Sequence, residues 1–335
     1  MGDSIRRVTR YRSLPPGWAE RIEALATGGL EPVPPRPSAT ILLLRDRPDR
    51  PDRGPEVYMQ RRHSAMDFAA GMYVFPGGTV DASDGDLPAG WSGPAPDAWA
   101  EMLGCPADLA GAVVCAAVRE TFEECGVLLA GSAADPDTLV ETSGDDWEAA
   151  RLALARHETT LADLFARLDL VLRADLLHPW THWVTPEFEP RRYDTWFFVA
   201  EMPARGRARD VSGEADLSVW RRPLDALADY RTGGIDMMPP TLVTLREIAL
   251  HRETAGVLSA AADRVPLPAP LTARLRPRPR EDDPIELIWP VEDPFGAEPF
   301  PLDRAVQTAR PVPVDPRVPV DAVERSAVRQ ASSEP

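Results

Sequence analysis

The sequence predicts an α/β fold, and three observations carry that expectation. Residues 39–44 and 56–60 are short apolar, β-compatible runs joined by an Arg/Pro/Asp-rich stretch at 46–55, which reads as the loop of a hairpin. Residues 176–185, 193–201 and 217–220 return to strand character much later, with Trp180, Trp183, Trp196, Phe197 and Phe198 supplying bulk. Between and after these runs lie segments of helical period: 107–125, the pair 147–157 and 161–168, then 224–230 and 240–252. Strands and helices interleaved in this way fold into a sheet with helices packed on it.

The chain opens with a helix expected at 15–26, Pro at its start, and a Pro-rich run at 32–37 ends that segment. Residues 1–35 therefore read as an N-terminal helix and linker, and 36–255 as the main domain. Within it, 85–106 carries Pro88, Pro94, Pro96 and Pro106 among Gly and Asp, and reads as a folded-over loop anchored by Trp91 and Trp99. The polar stretch 131–146 leads into the helical pair, so 131–175 is a second insertion. The helix at 240–252 is expected on the sheet's other face. Past Gly256 the composition shifts, and 256–335 reads as a Pro-rich tail, partly docked through 285–290 and 295–302 and otherwise disordered.

A net charge of −16 argues against nucleic acid or an anionic membrane as partner. An anionic small substrate would need a metal ion and local Arg side chains to be held. All 37 basic residues are Arg, and the absence of Lys removes P-loop and Schiff-base chemistry. Cys105, Cys115 and Cys125 are not at zinc-ligand spacing, and a reducing cytoplasm is the expected location. No leader-like apolar run and no bilayer-length apolar stretch is seen. Trp91, Trp99 and the helical pair could form a homodimer contact.

The central helix is where chemistry concentrates. At about 100° per residue from Arg119, Glu120 falls at about 100°, Glu123 at about 40° and Glu124 at about 140°. Val114, Val118, Thr121, Phe122 and Cys125 fall on the opposite side and make core. Three carboxylates on one face repel one another, and an all-oxygen anionic cluster suits Mg2+ or Mn2+. A solvated acidic face is the alternative, but Gly126 fits a helix C-cap, Gly77 and Gly78 allow close backbone approach, and Arg119 can orient a carboxylate.

Arg119 to Val127, Arg-Glu-Thr-Phe-Glu-Glu-Cys-Gly-Val, resembles the second half of the Nudix hydrolase signature, with Thr121 at an apolar position. Gly78 takes the opening Gly, and Asp84 stands where the family has Glu. The 34 residues from Gly85 to Val118 replace the usual seven, so the box is split by an insertion of 27 residues. This split, after Gly71 to Asp81 (Gly-Met-Tyr-Val-Phe-Pro-Gly-Gly-Thr-Val-Asp), is similar to the coenzyme A diphosphatase-like branch of the family.

The resemblance implies an α/β/α sandwich with a mixed sheet, and hydrolysis of a phosphoanhydride in a nucleoside diphosphate linked to another moiety. Coenzyme A or acyl-coenzyme A leads, with ADP-ribose, a nucleotide sugar or a non-catalytic ligand-binding module as alternatives. It implies Glu120, Glu123 and Glu124 as ligands of Mg2+ or Mn2+ with the Gly78 carbonyl, Arg119 supporting them, and an assisting acid near Glu214, for which Glu187 and Glu189 compete. Arg61, Arg62, Gly77 and Arg192 are candidates for contact with the diphosphate. His178 and His182 lie on one face of a strand, and Pro179 argues against a helical metal pair.

Overall fold

The computed structural model describes residues 7–10, 17–47, 49, 54–64, 69–204, 206–209, 215–267, 274–275 and 286–289. Its centre is a seven-stranded mixed sheet. Five strands lie in the order His178–Val184, Tyr193–Glu201, Arg36–Arg45, Glu56–Arg62, Ala215–Arg221. Tyr193–Glu201 and Arg36–Arg45 run parallel, with Trp196 opposite Ala39, and the other pairings are antiparallel.

Alternation along the strands sorts side chains onto two faces. Ala39, Ile41 and Leu43 join Trp196, Phe198 and Ala200 in one core, while Leu42 and Leu44 join Phe197 and Val199 in the other. The helix Ala107–Cys125 fills the first core, and Pro223–Thr232, Pro239–Ile248 and Thr254–Ala262 fill the second. A sheet buried on both faces needs apolar residues at consecutive positions, which is why Ile41 to Leu44 show no polar alternation. The result is the expected α/β/α sandwich.

The expected hairpin is only partly a hairpin. Arg36–Arg45 and Glu56–Arg62 pair at Leu44–Val57 and Arg45–Glu56, then part. Gly77–Thr79 pairs with the first strand and Tyr73–Val74 with the second, filling the wedge between them. This divergence carries the two glycines beneath the central helix.

The first insertion is not the loop its composition suggests, and the polar stretch that opens the second is not irregular either. The first holds the strand Trp91–Ser92 and the helix Pro96–Leu103; the polar stretch after residue 130 holds the strands Ala130–Ser132 and Asp135–Leu139. Together with Leu170–Arg173 they form a separate four-stranded sheet, Trp91 lying opposite Leu172. Local composition could not reveal this, because the pairing partners lie far apart in the chain, Trp91 and Leu172 even in different insertions. Trp99 is 1% exposed and meets Phe198 edge-on at 6.0 Å, so it anchors the first insertion in the core and is not a surface for a second copy. The helical pair follows at Asp145–Ala155 and Leu161–Leu168.

The packed core continues past residue 255, since Thr254–Ala262 buries Val257 and Ala261. Ile22 of the N-terminal helix Trp18–Ala26 enters the same core. Glu286–Trp289 pairs with Arg7–Arg10 and Arg274–Leu275 in a three-stranded sheet. The expected docking run at 295–302 lies outside the described residues. Among the described residues no single helix is long and apolar enough to cross a membrane.

Candidate active site

The central helix starts after Pro106 and stops at Gly126, whose φ of 68° is the left-handed conformation that ends a helix and whose N–H donates to the Phe122 carbonyl at 2.8 Å. Its acid edge does not face open water; it faces the Gly77–Thr79 strand. Gly77 N–H donates to Glu124 Oε2 at 3.1 Å. A Cβ on Gly78 would stand 2.2 Å from Glu120 Oε1, and one on Gly77 would stand 2.3 Å from the Ala39 carbonyl oxygen. Only glycine lets this strand lie so close to both the sheet and the helix.

Arg119, 4% exposed, organises the carboxylates. Its Nε and Nη2 donate to Asp84 Oδ1 and Oδ2 at 2.9 and 3.0 Å, and Nη2 also donates to the Thr79 carbonyl at 2.9 Å. Its Nη1 donates to Glu120 Oε1 at 2.9 Å and to Glu123 Oε2 at 3.3 Å. Asp84 reaches this fork from the tight turn Ala82–Gly85, where Asp81 N–H donates to Asp84 Oδ2 at 2.8 Å. One guanidinium thus joins the two halves of the split box.

The charges around it do not balance. Asp81, Asp84, Glu120 and Glu123 surround Arg119, Glu124 lies beyond them against Gly77, and His157 Nδ1 stands 3.4 Å from Asp81 Oδ2 at the rim. Burial pushes the Glu120 carboxyl up to about 7 against the pull of Arg119, and repulsion from Glu123 adds to the rise. Burial likewise raises Glu123 and Asp84, with Arg119 opposing in both. Desolvation works against the Arg119 charge, but the hydrogen bond to Asp84 and the surrounding carboxylates outweigh it and push its pKa up.

A surplus of hard, anionic oxygens fits a divalent ion such as Mg2+ or Mn2+. The side chains as they stand do not converge on one point: among the described residues no three His, Cys, Asp or Glu groups are grouped to hold a metal. The expected convergence of Glu120, Glu123 and Glu124 with the Gly78 carbonyl is therefore absent from this arrangement. Mutual repulsion explains it, because each carboxylate has turned to the nearest donor, two to Arg119 and one to Gly77.

The other expected residues divide. Arg62 lines a small cavity at the acid edge with Gln60, Val74, Phe75, Gly77, Glu124 and Ala215. Arg61 is paired with Asp216, Nε to Oδ1 at 2.6 Å. Arg192 is tied to backbone, donating to the Thr185 and Val33 carbonyls at 3.1 and 2.8 Å. Glu214 lies outside the described residues. Glu189 sits beside Arg21 and Trp18 of the N-terminal helix. His182 bonds Asp194 at 2.5 Å and stacks on Trp196, which accounts for it without a metal. Sequence reasoning left out Gln60 and Arg151, which donate to the Glu124 and Glu123 carbonyls; no local signal marks either.

Comparison with known proteins agrees with this fold. The family described as the NUDT19 Nudix domain matches residues 95–248. A solved Nudix hydrolase from Alicyclobacillus acidocaldarius superposes with a TM-score of 0.59 at 25% identity, over 68% of this chain and 96% of that one. Over residues 95–248 the chain is similar to the Nudix family. The chain is also 26% identical to a Xenopus laevis protein named acyl-coenzyme A diphosphatase NUDT19, over 58% of this chain and 59% of that protein. The human protein of the same name is 27% identical, over 59% and 62%. The chain thus spans about three-fifths of the length of these two relatives.

Proposed function

We propose that this chain is a metal-dependent diphosphatase acting on coenzyme A or an acyl-coenzyme A, giving adenosine 3′,5′-bisphosphate and a phosphopantetheine product. The observation that carries the reading is the Gly77–Thr79 strand lying against Glu120 and Glu124, with Arg119 bridging both halves of the box. Relatives named as acyl-coenzyme A diphosphatases support the choice of substrate.

Nudix hydrolases generally use divalent metal ions. Mg2+ or Mn2+, when bound, would offset charge on the diphosphate and lower the pKa of the attacking water. Glu120, Glu123 and Glu124 would hold the ion, with the Gly78 carbonyl as a neutral oxygen. Arg119 would keep the three acids in place from behind. Arg62 and Gly77, in the cavity beside Glu124, would meet the phosphates. Glu214 would add an acid by its place in the chain. The free thiols Cys105, Cys115 and Cys125 suit a cytoplasmic setting.

Turnover on coenzyme A, an acyl-coenzyme A, ADP-ribose, NADH and nucleotide sugars, with Mg2+ or Mn2+ and with chelator, tests the reading. Coenzyme A or its thioester is expected to give the highest kcat/KM, and chelator to abolish it. A large preference for another substrate overturns the coenzyme A assignment. Tight binding of a diphosphate without hydrolysis would make the chain a ligand-binding module.

A further inference from the structure

The last four carbonyls of a helix have no partner inside it, and the last turn of a helix commonly frays. At the end of the central helix every one of these groups is held, three of them by donors from distant parts of the chain. The Glu123 carbonyl accepts from Arg151 Nη1 at 2.7 Å and the Glu124 carbonyl from Gln60 Nε2 at 3.3 Å. The Phe122 and Cys125 carbonyls accept from the N–H groups of Gly126 and Arg209, at 2.8 and 2.9 Å. One residue on, the Gly126 carbonyl accepts from the Thr142 hydroxyl at 2.5 Å.

The two held from side chains at 123 and 124 belong to acids of the site. Pinning consecutive carbonyls fixes the backbone angles there, and with them the directions in which both side chains leave the helix. Arg151 belongs to the second insertion, on Asp145–Ala155, and is itself locked by Glu148, Nε to Oε2 at 3.0 Å and Nη2 to Oε1 at 2.6 Å. Its side chain is only 3% exposed, so it cannot reach a substrate in the open site. A cation here also complements the negative end of the helix dipole.

We propose that Arg151 is a positioning residue for Glu123, through which the second insertion sets how tightly the acid edge holds a divalent cation. This rests on the metal-site reading given under the proposed function. The test is the Mn2+ dissociation constant of the full chain, read from the electron paramagnetic resonance of free Mn2+, for wild type, Arg151→Met, Arg151→Lys and Thr142→Val. Circular dichroism identifies the variants that fold.

Arg151→Met is expected to weaken Mn2+ about tenfold to a hundredfold, the range seen when groups supporting metal ligands are removed. Arg151→Lys, which keeps charge and one donor, is expected to recover part of the loss, and Thr142→Val to show a smaller loss. Excess Mn2+ should restore turnover in Arg151→Met with KM for substrate unchanged. Wild-type affinity in Arg151→Met, or in Thr142→Val if Arg151→Met does not fold, overturns the clamp and leaves the metal site standing. A wild-type chain that binds no Mn2+ overturns the metal-site reading and the clamp with it.

Discussion

Asp84 and Arg119 meet through two parallel N–H···O bonds of 2.9 and 3.0 Å, although 34 residues of chain lie between them. The inserted segment leaves the sheet after the turn Ala82–Gly85 and returns at the start of a 19-residue helix, so its length does not change the distance between the ends of the box.

Asp84→Asn removes the charge from a side chain 1% exposed and strands Arg119. Removing one side of a buried pair costs about 3–5 kcal/mol. Glu120 and Glu123 still face the guanidinium, which puts the expectation at the low end. Calorimetry should show the melting temperature falling by about 5–15 °C. No change would mean that the fork does not hold the box together.

Gly78→Ala forces a methyl group to within 2.2 Å of Glu120 Oε1, and the carboxylate must move. Misplacing a reacting group by about 1 Å can cost about a hundredfold in rate. Steady-state kinetics should show kcat reduced by at least about tenfold in a folded protein. Full activity would remove Glu120 from the machinery.

Glu123→Gln and Glu124→Gln keep size but turn one acceptor oxygen into a donor and remove the charge each offers a cation. Turnover is expected to vanish in both while circular dichroism stays that of the wild type. Chelation of the wild-type chain should have the same effect, reversed by adding Mg2+ or Mn2+. Either variant running at the wild-type rate in saturating Mg2+ would exclude the assignment.

Without divalent ions, stability should depend on pH through Glu120. Its carboxyl stands at about 7 in the folded chain, above the ordinary value of 4.5, because burial penalises the charged form. The folded state binds this proton more tightly than the unfolded state. The stabilisation is therefore fully present below about pH 4.5 and is lost as pH rises through about 7. A cation binds the deprotonated acids, so Mg2+ should raise the melting temperature more at pH 8 than at pH 5. Melting curves across this range with and without chelator check both; a flat profile in chelator contradicts the first.

Much of this molecule was legible locally. The limits of the central helix follow from Pro106 and Gly126, the strand Tyr193–Glu201 from its bulky aromatic run, and the acid set from spacing along one helical face. These are properties of a few neighbouring residues, so a linear reading reaches them. The helix Thr254–Ala262 escaped because it straddles the composition change past Gly256 that marked a tail.

Contacts between distant segments account for the rest. Trp91 finds Leu172, Trp99 finds Phe198, Asp84 finds Arg119, and Arg151 finds the Glu123 carbonyl. No neighbour in the chain announces any of these partners, since each is chosen by shape and charge once the layers are packed. Paired glycines at 77 and 78 revealed that something approaches closely there; that it is Glu120 on one side and the Ala39 carbonyl on the other follows from the parting of two strands.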